Sequence, residues 1–308
     1  PLFLSGGQMA HAARILEELD DLMSEHSLIH EEARERVERL FERLSEPDVL
    51  EQFVQALEDG AVAPDSDEVT LFFSRLRPPA MPILIRFSEM SETSGVRGRL
   101  ASAIDGLAAR YPETVNELLA SDETVLVAGA VKAAGRVRLA EAVPGLEKAL
   151  KHRDRKVRLA VVDSLVSIRR SPALQALTLA LEDQDRDVRI AAAEALGRLR
   201  FASARDALEA VIDGKRVKDA DLTEKMAYFE AYGAVGGTKA VERLDTLLNA
   251  RRLFRRRHPT DLRACAALGL GQAGTPESRR ALEKARSDDD PIVRNAVIRA
   301  LQKEPVSR

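Results

Sequence analysis

Tryptophan is absent from this chain, and three tyrosines with nine phenylalanines hold the aromatic share to 4%. A core without large rings has to be built from Leu, Val, Ile and Ala, the composition of close-packed short helices. The same shortage leaves little with which to stack on an extruded base. The single cysteine, Cys265, excludes an internal disulfide framework and a multi-cysteine zinc site. It stands in the run from Leu262 to Leu268, among alanines and leucines, where a thiol packs as a small apolar group. No apolar stretch approaches the roughly 18 residues of a membrane-spanning helix, and no basic-then-apolar signal segment is visible. The expected location is therefore the cytoplasm, and Pro1 in place of methionine is expected of a fragment or processed product.

Catalytic constellations are missing too. No serine or cysteine has a recognisable nucleophile context, and the carboxylates are spread over helix caps and exposed faces. His26 and His30 stand four apart beside Glu25, Glu31 and Glu32, yet solvent-facing positions at a helix turn explain them better than a metal centre. The expectation is no enzyme, no metal and no cofactor.

What is present is a mixture of 45% hydrophobic and 31% charged residues, the balance of a soluble, packed protein. The net charge of −3 conceals a division: residues 1–130 carry −14 and residues 131–308 carry +11. Such polarity bears on partners and steering, and it permits head-to-tail self-association.

One phrase recurs in the second part: Asp154-Arg155-Lys156-Val157-Arg158, Asp185-Arg186-Asp187-Val188-Arg189 and Asp290-Pro291-Ile292-Val293-Arg294, each leading into an alanine- and leucine-rich helical run. Val157 and Val188 are 31 residues apart, a period of stacked helical hairpins whose units cannot bury an apolar face alone. Residues 1–60 show no such repeat. Their apolar spacings (Ile15, Leu16, Leu19, Leu22, Met23; Val37, Leu40, Phe41, Leu44; Val49, Leu50, Phe53, Val54, Leu57) predict amphipathic helices forming an N-terminal segment or cap. Residues 61–308 are expected to form about seven hairpins, starting irregularly near 67–77 and 80–91. A helix from Val96 to Tyr111 follows, then hairpins over 112–138, 142–169, 172–200, 204–235, 238–274 and 276–303. Ser171, Thr275 and Thr238 are expected to supply hydroxyl caps to first helices, and Asp154, Asp185 and Asp290 to cap second helices.

These residues resemble the HEAT-repeat family, in its short bacterial form seen in phycobilisome-lyase-like repeats. The run Asp185, Val188, Arg189, Ala191, Ala192, Glu194, Ala195, Leu196, Gly197 reproduces the family's second-helix pattern, and the resemblance covers about 95–303. It implies an all-α, right-handed α-solenoid of stacked antiparallel helical hairpins with an N-terminal helical cap. It also implies a ladder between neighbouring repeats, in which Asp154, Asp185 and Asp290 with Arg158, Arg189 and Arg294 are structural anchors. Leu222-Thr223 and Val125-Leu126 stand where Val-Arg is expected, so the ladder should break there. Two enzymatic readings come with the resemblance, a bilin lyase or isomerase subunit and an alkylpurine DNA glycosylase. The sole His-Glu pair, His30-Glu31, counts against the di-iron hydroxylases of similar build.

The anchor spacing lengthens to 34 from Val188 to Leu222 and 40 from Leu222 to Leu262. The extra residues fall at turns and are basic: Lys215, Arg216 and Lys218 in one, and Arg251, Arg252, Leu253, Phe254, Arg255, Arg256, Arg257 and His258 in the other. With residues 151–156 they define a candidate basic edge. Two glycine-rich stretches imitate nucleotide loops: Gly269, Gly271 and Gly274, and Gly233, Gly236 and Gly237. Both lack the required strand: a helix C-cap and close helix packing account for the first, and the second, which lacks the spacing as well, is set aside. Tyr228, Phe229 and Tyr232 share one helix, where a core role outweighs a recognition patch. The favoured function is a non-enzymatic scaffold or adaptor binding another protein through the solenoid surface. The alternative is nucleic acid or another polyanion held by the basic edge over 151–156, 215–218 and 251–258.

Overall fold

The structure, a computed structural model, describes residues 14–15, 18–19, 31–250 and 257–302. Among these, every regular element is helical. The chain divides into two compact units, residues 1–149 and 150–308.

Unit 1 begins with α1 (Glu31–Leu44), α2 (Pro47–Glu58), α3 (Asp67–Ser74), α4 (Ala80–Met90) and α5 (Ser94–Arg110). Its aromatic residues are concentrated where α2 meets α3: the Phe53 ring lies 4.0 Å from Phe72 and 5.4 Å from Phe73. Arg77 fastens α1 to this core, with Nε and Nη2 on the Glu38 carboxylate at 2.6 and 2.7 Å and its backbone N–H on Ser45 Oγ at 2.8 Å. Next come α6 (Pro112–Leu119), α7 (Thr124–Arg136) and α8 (Val143–Ala149).

Unit 2 alternates first and second helices of hairpins. The second helices are α9 (Arg155–Ile168), α11 (Arg186–Arg198), α14 (Leu222–Val235), α16 (Thr260–Ala273) and α18 (Pro291–Gln302), each packed on the next. The first helices are α10 (Ser171–Leu179), α12 (Arg205–Asp213), α15 (Gly237–Asn249) and α17 (Pro276–Lys284), while α13 (Arg216–Asp219) is a single turn in the longer loop before α14. This is the expected architecture of stacked hairpins.

Alanine and glycine set how close the second helices come. A Cβ at Gly233 would lie 1.9 Å from the Gly269 carbonyl oxygen, and one at Gly269 would lie 2.5 Å from the Phe229 oxygen. The Gly269-to-Gly274 stretch is thus a packing seam that ends in a left-handed cap at Gly274 (φ 64°).

Caps follow the sequence for second helices. Asp154, Asp185 and Asp290 accept from the amides of Lys156, Asp187 and Ile292 at 2.8, 2.9 and 2.9 Å, and Asp221 accepts from Glu224 N–H at 3.0 Å. First helices follow the expectation at one position of three. Thr275 forms a capping box with Ser278, but Ser171 is the first helical residue, because the chain leaves α9 through left-handed Arg169 and Arg170 takes the cap position. Thr238 likewise lies inside its helix, behind left-handed Gly237.

Candidate functional site

Counting from each second-helix cap gives a common register. The fourth residue after the cap is Arg158, Arg189, Lys225, Arg263 and Arg294 in turn, and the third is Val157, Val188, Glu224, Leu262 and Val293. Arg158 is buried and grips Asp183 of the next repeat with Nε and Nη2 at 2.8 and 3.0 Å. Its Nη1 donates to the carbonyl of His152, six residues back, at 2.8 Å. Arg189 and Arg294 hold the carbonyls of Asp183 and Asp288 in the same manner at 2.8 and 2.7 Å.

The ladder carboxylate is therefore not the cap aspartate. It is the residue two places earlier, Asp183 or Asp288, whose Oδ1 also accepts from the cap amide at 2.7 or 3.0 Å. In the repeat before, His152 fills this position and its Nδ1 accepts from Asp154 N–H at 3.0 Å. Neither His nor Asp at this place is flagged by the recurring phrase, which starts two residues too late.

The ladder does not break at Leu222-Thr223. Asp221 is the cap, so the anchor residues are Glu224 and Lys225, and the true spacings are 36 to Glu224 and 38 to Leu262. Arg189 reaches forward to Glu224, with Nη2 to Oε2 at 2.9 Å, and Lys225 reaches Asp261 at 2.7 Å. Glu224 sits where other repeats place valine, only 2% exposed, and also accepts from the Tyr228 hydroxyl at 2.8 Å. Burial alone would raise its pKa; the Arg189 and Tyr228 bonds outweigh burial and hold it below the ordinary glutamate value. Asp261 and Asp288 are depressed in the same way, burial being overcome by Lys225 and by Arg263. Carried back one repeat, the register puts Leu126 and Val127, rather than Val125 and Leu126, in the valine and arginine places.

This lattice uses several cations of the expected basic edge. Arg155 pairs with Asp187 at 3.1 Å, Arg216 with Glu182 at 3.2 Å, and Arg257 with Asp288 at 2.7 Å. Arg189 and Arg216 line a cavity of about 320 Å³ with Asp219, Ala220 and Glu224, but both guanidiniums already hold carboxylates and carbonyls. Lys215 and Lys218 are exposed, as are Lys151, Arg153 and Lys156. Arg251, Arg252, Leu253, Phe254, Arg255 and Arg256 lie outside the described residues, as do His26 and His30.

Tyr228, Phe229 and Tyr232 are all fully buried in the core of unit 2. Cys265 is buried too, and burial pushes its thiol up to about 12. We expect no reaction with an aromatic disulfide reagent at pH 8 until the protein is unfolded, when one thiol per chain should titrate; rapid labelling of the native protein would contradict this packing.

The second-helix face has a pattern of its own. Five residues after the cap stand Leu159, Ile190 and Met226, half-buried and in register on three consecutive helices. One turn further along come Asp163, Glu194 and Glu230, with Asp163 and Glu194 exposed and Glu230 half-buried. An i,i+4 relation places each acid beside its apolar residue on one helical stripe. The result is an apolar row bordered by a row of carboxylates. Sequence reading passed over it because single residues one repeat apart form no local motif.

The fold and its ladder define a stacked helical-hairpin repeat. Residues 111–197 match the family model for HEAT repeats, the family that the recurring phrase resembles. A search of the curated proteins found no match. Among solved structures, the chain is similar to an engineered protein at 17% identity, covering 98% of this chain and 92% of that one with a TM-score of 0.38. It is similar to human deoxyhypusine hydroxylase in complex with glycerol at 20% identity, covering 82% and 96%, TM-score 0.30. The complex of CpcE and CpcF of phycocyanin lyase from a Nostoc species gives 19% identity, coverage of 73% and 94%, and a TM-score of 0.34.

Proposed function

We propose that the chain is a non-enzymatic scaffold that binds another protein on the second-helix face of unit 2. The observation that carries this reading is the row Leu159, Ile190 and Met226 with its bordering carboxylates Asp163, Glu194 and Glu230. Half-exposed apolar residues bordered by charge share the pairing of apolar and polar surface found in recognition patches. The acidic border suits a partner segment that presents apolar side chains beside lysine or arginine. Rigid spacing from the ladder beneath supports the reading, because a preorganised surface loses little entropy on binding.

Affinity purification of the tagged protein from its native host, at moderate salt, is the test. The wild type should retain a protein at fixed stoichiometry. Ile190→Glu should weaken that retention by at least about tenfold, the scale of a lost central contact, with the helical circular dichroism unchanged. Retention that survives Ile190→Glu, or recovery of nucleic acid released by salt in place of a protein, would overturn the reading. The second result would favour the alternative, in which Lys215, Lys218 and the 251–256 segment grip a polyanion.

A further inference from the structure

We infer that this chain self-associates, the acidic face of unit 1 of one copy docking on an arginine-rich edge of unit 2 of another. The edge lies where second helices end, remote in sequence from the turn ladder. Arg169 and Arg170 follow α9, and Arg198 and Arg200 close α11; all four are exposed. At the turn edge arginines meet carboxylates, whereas none of these four lies within ion-pair distance of one among the described residues.

Their backbone makes the concentration of arginine more telling. Arg169 and Arg200 have φ of 53° and 49°, at the fifteenth position after the cap, where α16 uses Gly274. Left-handed backbone disfavours an L side chain, and glycine is the ordinary solution. Arg200 recovers part of that disadvantage by donating to the carbonyls of Ala234 and Gln272 at 3.4 and 3.3 Å. Arg169 has no such acceptor among the described residues, so its guanidinium is left in solvent. A stable monomer gains little from arginine there.

The complementary surface is in the same chain. Between Arg43 and Arg75 the sequence has eight carboxylates and neither lysine nor arginine. Glu46, Asp48 and Glu51 gather at the start of α2, and Asp59, Asp65 and Asp67 follow its end, all six exposed. Among the described residues, Asp65 alone of the six has a cationic partner, Arg99 at 3.3 Å. The helix between the two groups is about 18 Å long, and adjacent repeats bring the arginine pairs to within roughly 10 Å of each other. Both pairs therefore fit the length of the acidic face. Different patches on the two partners make the contact heterologous, and a second copy is the occupant because it supplies the matching charge.

Sedimentation across a concentration series tests this. At about 0.02 M salt, where screening is weak, the mass should rise from the 33.8 kDa monomer to about twofold or more, and at about 0.3 M it should fall back. The double variants Arg169→Glu with Arg170→Glu, and Glu51→Lys with Asp59→Lys, should each weaken association at least about tenfold. Mixing the two should restore a pair, since each keeps one intact half. Ile190→Glu should associate like the wild type, so failure of the scaffold reading and failure of this one are separately visible. A wild type that stays monomeric at low salt, or association indifferent to both charge reversals in variants with native circular dichroism, would overturn the inference.

Discussion

Gly233→Ala should be among the most damaging single substitutions in the molecule, lowering stability by about 3 kcal/mol or more. The added methyl would meet the Gly269 oxygen at 1.9 Å, its carbon at 2.6 Å and its Cα at 3.0 Å. These are backbone atoms of a neighbouring helix, so no rotamer change relieves the overlap; α14 and α16 must separate along their length. Separation strips contacts from Tyr228, Phe229 and Leu244 as well, because a dense interior transmits displacement. Gly269→Ala, which would put a methyl 2.5 Å from the Phe229 oxygen, should cost a similar amount.

The comparison that gives the prediction its force is Gly106→Ala. Gly106 is an exposed residue within α5, and a Cβ there meets nothing within 4 Å. Alanine should stabilise that helix by about 0.5–1 kcal/mol, because it narrows the unfolded ensemble without disturbing the native one. Chemical denaturation of the three variants therefore reads opposite signs for one substitution type. If Gly233→Ala were neutral, the close helix approach would be wrong.

The architecture was legible because the repeat phrase carries both its cap and its inward valine. Asp154, Asp185 and Asp290 do cap second helices, and 31 residues is one hairpin. Register was harder where that phrase degenerates. Leu222-Thr223 looks like a corrupted Val-Arg, yet the cap is Asp221, and Glu224 with Lys225 continues the ladder in altered chemistry. A buried glutamate at a valine position cannot be recognised from one sequence, since its acceptability depends on Arg189 a repeat away. The arginine edge escaped notice for the complementary reason: Arg169, Arg170, Arg198 and Arg200 are scattered along the chain and converge only when repeats stack. The basic residues that cluster in the sequence lie at turns instead, where several hold carboxylates.

Arg189→Leu should destabilise unit 2 by about 3–5 kcal/mol, and Arg189→Leu combined with Glu224→Val should recover most of that loss. The single change leaves the Glu224 carboxylate buried with only the Tyr228 hydroxyl to satisfy it, and an uncompensated buried charge costs more than the ion pair contributes. The double change makes the third position valine, as in the two preceding repeats, and gives the site the apolar packing that Val157 and Val188 already have. The pH dependence separates the variants further. In the wild type the folded Glu224 carboxyl lies below the ordinary glutamate value of about 4.3, so its contribution is complete above that value and is lost as pH falls through the folded value. Asp261 and Asp288 add stability with the same sign. The double variant should therefore lose less stability between about pH 5 and pH 3 than the wild type, while at neutral pH the two unfold at similar denaturant concentration. If Arg189→Leu alone were as stable as the wild type at pH 7, the ladder would be ornamental; if the double variant were no better than the single, the damage would lie in lost packing of the arginine stem and not in the stranded carboxylate.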